Sequence, residues 1–442
     1  FALGSYILAT FTFGFLGFVV LIVLIFLGVR SFIAAGLVGF LVLLYMKNWK
    51  VAAGVAGMAP HSEVSHFTLS VLPMFILIGF FAHHGGMVKG AYRFAKAWLG
   101  WLPGGLAIGT VFATASFGAV SGASSATAAV FSHIAIPEML KSKYQPAISA
   151  AVVAAGGTLA SLIPPSAILV IYGIIVEESV GDLLLAGFIP GIITALICIL
   201  LLVGMFKVKP ELGPSVTGIS WGERFASIGG VLPIVVVISV IMGGMYTGWA
   251  TPTEVGALGA FIVFVLALLR GRLNFSNLSQ SLIETVKLSA MIFSVIWGIV
   301  TFVRFLGFAG LPSAAAEWVS SLPISPFATL LVILLMYLFL GMFMNAIGML
   351  LLTLPVIHPV IISLGFDPIW FGIILVKMVE IGLVTPPIGL NCYVVSGVRP
   401  DIPIEKIFRA VLPFVLADIA AVALFVMFPE IVTFLPDLVK GR

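Results

Sequence analysis

Two short segments gather neutral oxygen ligands within otherwise apolar sequence. The first is Ser121-Gly-Ala-Ser124-Ser125-Ala-Thr127, four hydroxyls and a glycine in seven residues. Small monovalent cations are held by such oxygens together with the carbonyls of unwound helix ends. The same residue types also serve close helix packing in membranes, so the segment alone admits either role. Some forty residues later comes Ile163-Pro164-Pro165-Ser166, where two prolines remove backbone donors and stop a helix. An oxygen-rich turn followed by a broken helix favours the cation. A second set repeats the pattern: Asn345 in Gly341-Met-Phe-Met-Asn345-Ala-Ile-Gly348, then Gly382-Leu-Val-Thr385-Pro386-Pro387-Ile-Gly389-Leu-Asn391.

Charges inside apolar runs form a second group of candidates, since one costs about 2.5–3.5 kcal/mol at the centre of a membrane helix on insertion scales. Arg304 lies deep in Trp297-Gly-Ile-Val-Thr-Phe-Val-Arg304-Phe-Leu-Gly. It contacts an anionic substrate, partners Glu380 or Asp418 structurally, or snorkels toward the membrane surface. Lys377 and Glu380, three apart, fit a self-contained ion pair. Glu254, after Thr251-Pro252-Thr253, fits a helix-start brace. His83, His84, His133 and His358 lack ligand spacing, and Cys198 and Cys392 lie in apolar runs, so all six read as structural.

The elements that position these residues belong in lipid. Of 442 residues, 61% are hydrophobic and 9% charged, with a mean hydropathy of +1.26. Soluble domains average about 25% charged residues. The apolar beginning of the chain reads as part of the spans rather than a cleaved signal. Residues 1–29, 31–46, 64–88, 183–206 and 225–253 carry no charge, and each can supply one crossing of about 20 residues. Weaker candidates lie near 254–269, 286–310 and 410–433. Residues 97–137 and 318–366 are uncharged for 41 and 49 residues. A straight helix of 41 residues would reach about 60 Å, roughly twice the hydrocarbon core, so each run must turn back. The chain therefore reads as ten crossings and two re-entrant hairpins, near 105–140 and 326–364. The broken helices span about 144–176 and 368–398.

Basic residues orient this arrangement. Lys89, Arg93, Lys96, Lys141 and Lys143 flank the first hairpin, whereas Glu317 and Asp367 flank the second. Following parity places fifteen Lys and Arg inside and four outside, with both termini periplasmic. Prolines 137, 146, 164 and 165, shifted by 222, land on prolines 359, 368, 386 and 387. The reading is all-α: two repeats, 1–210 and 211–442, each with five crossings (one broken) and one hairpin. An odd number of crossings inverts the second repeat.

Several of these motifs, in this order, resemble the large membrane subunit of TRAP (tripartite ATP-independent periplasmic) transporters. They are Ser-Gly-x-Ser-Ser-Ala-Thr, Leu-Ile-Pro-Pro-Ser, Ile-Tyr172-Gly173, Thr251-Pro-Thr-Glu254, Gly-Met-Phe before Asn345, and Thr-Pro-Pro-Ile-Gly-Leu-Asn391. The likeness runs from about residue 14 to 430. It implies an elevator-type carrier in the bacterial inner membrane, driven by sodium ions and moving a small organic anion. It also implies a periplasmic binding protein and a small membrane subunit of four spans. On that resemblance sodium falls to Ser121, Ser124, Ser125, Gly157 and Pro164, and to Asn345, Gly348, Thr385, Pro386 and Gly389. Substrate falls to Thr127, Ser166, Pro387 and Asn391, with Arg304 added from its own position. The family often has Asp where this chain has Asn345, and an amide supplies an oxygen without charge.

Other classes fit less well. The spans show no His/Asp/Glu cluster at metal spacing and no nucleophile–base pair, which argues against a membrane-embedded enzyme. No Gly-x-x-x-x-Gly-Lys-Ser/Thr loop is present, so ATP is not the direct driver. A stand-alone sodium–carboxylate symporter of similar architecture is the nearest rival. An ion channel fits poorly with two hairpins.

Overall fold

The computed structural model describes residues 2–216 and 218–440, and all regular structure there is helical. Among the described residues six helices are long and apolar enough to cross a membrane: Val180–Val208, Trp221–Tyr246, Pro252–Leu269, Phe275–Phe308, Ala346–Ser363 and Ile404–Met427. Shorter apolar helices, among them Gly105–Gly118, Pro146–Ser161 and Pro326–Gly341, build the hairpins and broken helices.

One anticipated crossing is different. The uncharged run 64–88 is bent by 65° between Val71–His84 and Met87–Leu99. The cause is local: Gly85-Gly86 separates the halves, and Gly86 sits at φ 74°, a left-handed conformation open to glycine. Beyond the bend the helix is amphipathic, with Lys89, Arg93 and Lys96 on its polar side. Three short helices lie outside the runs read as crossings in full or in part: Trp49–Val64, Leu311–Ser321 and Glu430–Lys440.

Each long uncharged run folds back on itself. The first hairpin pairs Gly105–Ser121 with Ser124–Lys141, and the second pairs Pro326–Gly341 with Ala346–Ser363. In the second, the buried hydroxyls of Tyr337 and Thr353 meet at 2.6 Å across its two arms. Each hairpin is followed by a broken helix. The first runs Pro146–Thr158, a single 3₁₀ turn at Leu159–Ser161, then Ala167–Val176. The second runs Pro368–Val384, then Leu390–Val398. Both Pro-Pro bonds, 164–165 and 386–387, are cis.

The broken helices pack directly against each other. Tyr172 Oη donates to the Pro368 carbonyl at 2.6 Å. The Tyr172 ring lies over Gly372, where an added Cβ would come within 2.6 Å of it. Ser161, eleven residues earlier, bonds Glu380, twelve residues later. Residue numbers rise in one helix as they fall in the other, so the two run antiparallel. This buried pair forms the centre of the molecule, and the hairpins pack around it.

Candidate functional site

The first hairpin tip is built to approach backbone closely. Its first arm ends on Gly122, left-handed at φ 62°, which lets the chain reverse before Ser124 starts the second arm. A Cβ on Gly122 would lie 2.7 Å from the Pro165 carbonyl, and one on Gly118 2.5 Å from Ala160 Cα. From the other side, a Cβ on Gly157 would lie 3.0 Å from the Ser124 carbonyl. The tip is thus pressed onto residues 157–166. Within it, Ser121 Oγ and Thr127 Oγ1 are 3.0 Å apart, and Thr127 Oγ1 donates to the Ala123 carbonyl at 2.9 Å.

The break opposite is wholly buried. Ser166 caps the helix Ala167–Val176 by accepting from Leu169 N, while its hydroxyl donates to the Ser161 carbonyl at 2.5 Å. A helix that stops inside the protein leaves its last carbonyls to find partners outside the regular ladder, here in the 3₁₀ turn and the Ser166 hydroxyl.

The second set is arranged differently. Gly341 and Gly382 meet backbone to backbone, a Cβ on Gly382 falling 2.7 Å from Gly341 Cα. This is the counterpart of Gly118 on Ala160, at shifts of 223 and 222. At the tip, the Asn345 side-chain oxygen accepts from Ile347 N at 2.8 Å and Gly348 N at 3.3 Å, capping Ala346–Ser363. In the break, Thr385 Oγ1 donates to the Ile381 carbonyl at 2.6 Å, and Gly389 turns at φ 57°. Pro387 is exposed.

The structure joins two candidates from different halves. Ser125 Oγ donates to Asn391 Oδ1 at 2.8 Å, 266 residues away in sequence. Asn391 is buried, and its Nδ2 has no hydrogen-bond partner among the described residues. Ser121, Ser124, Ser125, Thr127, Gly157, Pro164, Ser166 and Asn391 therefore gather around the first tip. Thr385, Pro386, Pro387 and Gly389 form the second break. Asn345 and Gly348 line a separate cavity, and Arg304 another.

The interior charges pair otherwise than their spacing implies. Lys377 Nζ lies 2.7 Å from Asp418 Oδ1, joining the second broken helix to Ile404–Met427, with both side chains essentially inaccessible. Glu380 is bonded by Ser161 across the helix pair. The expected Lys377–Glu380 pair does not form, and neither acid partners Arg304. Three residues advance a helix by about 300°, so the two side chains diverge by about 60° and face different neighbours. Glu254 does brace its helix: Thr251 and Glu254 make a reciprocal capping box.

Cavities lie where the hairpin tips meet the helix Phe275–Phe308. One of about 550 Å³ is lined by Ser121 and Ala123 of the first tip with Glu284, Lys287 and Met291. Another of about 390 Å³ is lined by Asn345, Ile347 and Gly348 with Arg30, Met291 and Ile292. Met291 borders both. A third, of about 570 Å³, holds Arg304 with Glu177, Ile171, Val300, Leu351 and Pro355. Arg30 and Lys287 escaped the reading of the sequence because each stands at the border of an apolar run, where a basic residue reads as a topological marker. Among the described residues no group of three metal-binding side chains occurs.

Comparison with known proteins agrees with this architecture. Residues 18–431 match the family described as "Tripartite ATP-independent periplasmic transporter, DctM component". The chain is 37% identical over 372 residues to the C4-dicarboxylate TRAP transporter large permease protein DctM of Pseudomonas aeruginosa, covering 84% of this chain and 85% of that one. It is 32% identical to the DctM protein of Vibrio cholerae, covering 96% and 97%. It is also 32% identical to the sialic acid TRAP transporter large permease protein SiaM of the same organism, covering 86% and 88%. Among solved structures, the Alcanivorax borkumensis YdaH transporter superposes with a TM-score of 0.60 at 14% identity, over 88% of this chain and 90% of that one, a likeness of fold. With its helical membrane fold, and a family match across nearly its whole length, the chain belongs to the DctM component family of tripartite ATP-independent periplasmic transporters.

Proposed function

We propose that this chain is the large subunit of a sodium-coupled secondary transporter that moves a small organic anion across the bacterial inner membrane by an elevator motion. It would work with a small four-span membrane subunit and a periplasmic binding protein, the other two components of a tripartite system. The observation that carries the reading is the first tip pressed onto the buried break at 157–166. It combines neutral hydroxyls, an unwound backbone and glycine contacts that admit nothing larger. Such unwound segments in the interior are where secondary transporters hold their coupling ions.

The antiparallel broken helices, Tyr172 on Pro368 and Ser161 on Glu380, support two inverted repeats, 1–210 and 211–442, and the basic-residue bias favours periplasmic termini. The substrate is an organic acid, as in the dicarboxylate and sialic acid carriers that this chain resembles. Its passage runs along Phe275–Phe308, where Arg30, Lys287 and Arg304 border the cavities. A close-packed membrane domain sliding past that long helix would carry the tips and their cargo together.

The test is uptake of succinate into proteoliposomes holding both membrane subunits, with the cognate binding protein outside. Uptake should require an inward sodium gradient. Uptake that is unchanged when potassium replaces sodium would refute the ion assignment.

A further inference from the structure

A cavity of about 650 Å³ lies at the bend between Val71–His84 and Met87–Leu99. One wall is the amphipathic helix Met87–Leu99, whose Lys89 and Arg93 stand one turn apart. Another is the loop between Pro252–Leu269 and Phe275–Phe308, which contributes Arg270 and Arg272. The two walls are held in place from below and from the side. A Cβ on Gly90 would lie 2.5 Å from the Gly230 carbonyl, so Met87–Leu99 and Trp221–Tyr246 touch backbone to backbone beneath the cavity. Arg270 is anchored on the Gly229 carbonyl, and Asn277 Nδ2 donates to the Arg272 carbonyl at 2.9 Å. All four cations are exposed, and none of them forms an ion pair among the described residues. Glu284, which His84 of the same cavity touches, is shared between His84 and Gln280, each at 3.1 Å. Like charges gathered without a counter-charge repel one another, and an anion among them removes that cost.

The flanks identify the anion. Ile228 precedes Gly229, Leu268 and Leu269 precede Arg270, and Phe275 follows Arg272, all four of them large, apolar and exposed. In a chain that spans a bilayer such residues meet acyl chains, so the basic cavity opens beside a surface made for hydrocarbon. A helix that is basic on one side and apolar on the other lies at headgroup level. The basic bias puts Lys89, Arg93, Arg270 and Arg272 on the cytoplasmic side, where basic pockets between helices take anionic lipid headgroups. We propose that this cavity binds the phosphate of an anionic phospholipid of the cytoplasmic leaflet. Lys89, Arg93 and Arg272 hold the phosphate oxygens, for which the planar arginine fork is suited. The exposed apolar residues lie along the chains. A lipid seated there ties the bent arm Met87–Leu99 to the loop before Phe275–Phe308. The site stands apart from the sodium and substrate assignments and goes beyond them.

Thermal unfolding of the full chain in detergent micelles tests the assignment, with dioleoyl-phosphatidylglycerol added in one series and dioleoyl-phosphatidylcholine in another. Phosphatidylglycerol should raise the melting temperature saturably, and phosphatidylcholine, with the same chains and no net charge, should not. Inorganic phosphate and succinate, each without lipid, should leave the melting temperature where it was. Arg272→Gln should raise the half-saturating fraction of phosphatidylglycerol about fivefold, the worth of one basic contact at a lipid surface. Arg93→Gln should do the same, and it serves if Arg272→Gln does not fold. Lys207→Gln removes an exposed charge that the basic bias puts on the same side, at the end of Val180–Val208, and should respond like the parent. Equal shifts from the two lipids overturn the proposal, as does a folded Arg272→Gln or Arg93→Gln that saturates like the parent. Weakening by Lys207→Gln as large as by Arg272→Gln overturns it too, since attraction would then come from the whole basic face. A shift with phosphate or succinate alone that matches the lipid's gives the cavity to a soluble anion and overturns the lipid.

Discussion

At the scale of single residues, the side chains with the most arresting sequence positions do different work from one another. Asn345 spends its oxygen on two backbone amides of its own helix. Asp makes the same cap, so Asn345→Asp should fold with little change in stability, whereas Asn345→Ala should lose about 1 kcal/mol. Thermal melts of the two variants side by side check this. Equal losses from both would remove the cap from the explanation. Arg304 borders a cavity with its long side chain exposed to it. Arg304→Gln should abolish uptake while the protein keeps its melting temperature. Arg304→Lys should restore it only in part, because an ammonium lacks the planar fork that fits a carboxylate. A fall in melting temperature matching the fall in uptake would make Arg304 structural.

Elements are held by glycine contacts that leave no room for a side chain. Gly118 on Ala160 and Gly341 on Gly382 dock each hairpin on its broken helix at equivalent places. Gly118→Leu should destabilise by about 1–3 kcal/mol or more, since the obstacle is backbone that cannot rotate away. Gly204→Ala, inside the helix Val180–Val208 with open space around it, should instead stabilise by up to about 1 kcal/mol. Denaturation of the two variants in one detergent compares them directly. The loop that follows the second broken helix is tied by Arg399 to Asp401, at 2.8 and 2.7 Å. Those hydrogen bonds hold the Asp401 carboxyl below the usual carboxylate range. The contribution is therefore present above the unfolded carboxylate value and is lost as pH falls through the lower folded one. Amide-exchange protection factors in residues 399–403, corrected for the intrinsic rate at each pH, should stay constant above pH 5 and fall in stronger acid, and Asp401→Asn should show the lower protection throughout.

For the whole molecule, the decisive quantity is orientation in the bilayer. The fifteen-to-four basic bias and the antiparallel broken helices predict Lys141 and Arg272 in the cytoplasm and Asp367 in the periplasm. Cysteines placed singly at these positions should react with an impermeant reagent from those sides. The buried Cys198 and Cys392 should stay silent. Labelling of position 367 from the cytoplasm alone would refute the inverted arrangement. The sequence by itself determined what depends on period and composition. Apolar run length set the membrane location, and runs of 41 and 49 residues forced the hairpins. Paired prolines set the breaks, and their common offset marked the duplicated pattern. Contacts between distant residues were decided only by the tertiary structure. Ser125 meets Asn391, Lys377 turns to Asp418 rather than Glu380, and Arg30 lines one cavity with the second tip. Spacing along one helix says which residues share a face, but the partner is whatever the neighbouring helix presents there. That neighbour is fixed by how the two halves of the chain pack together.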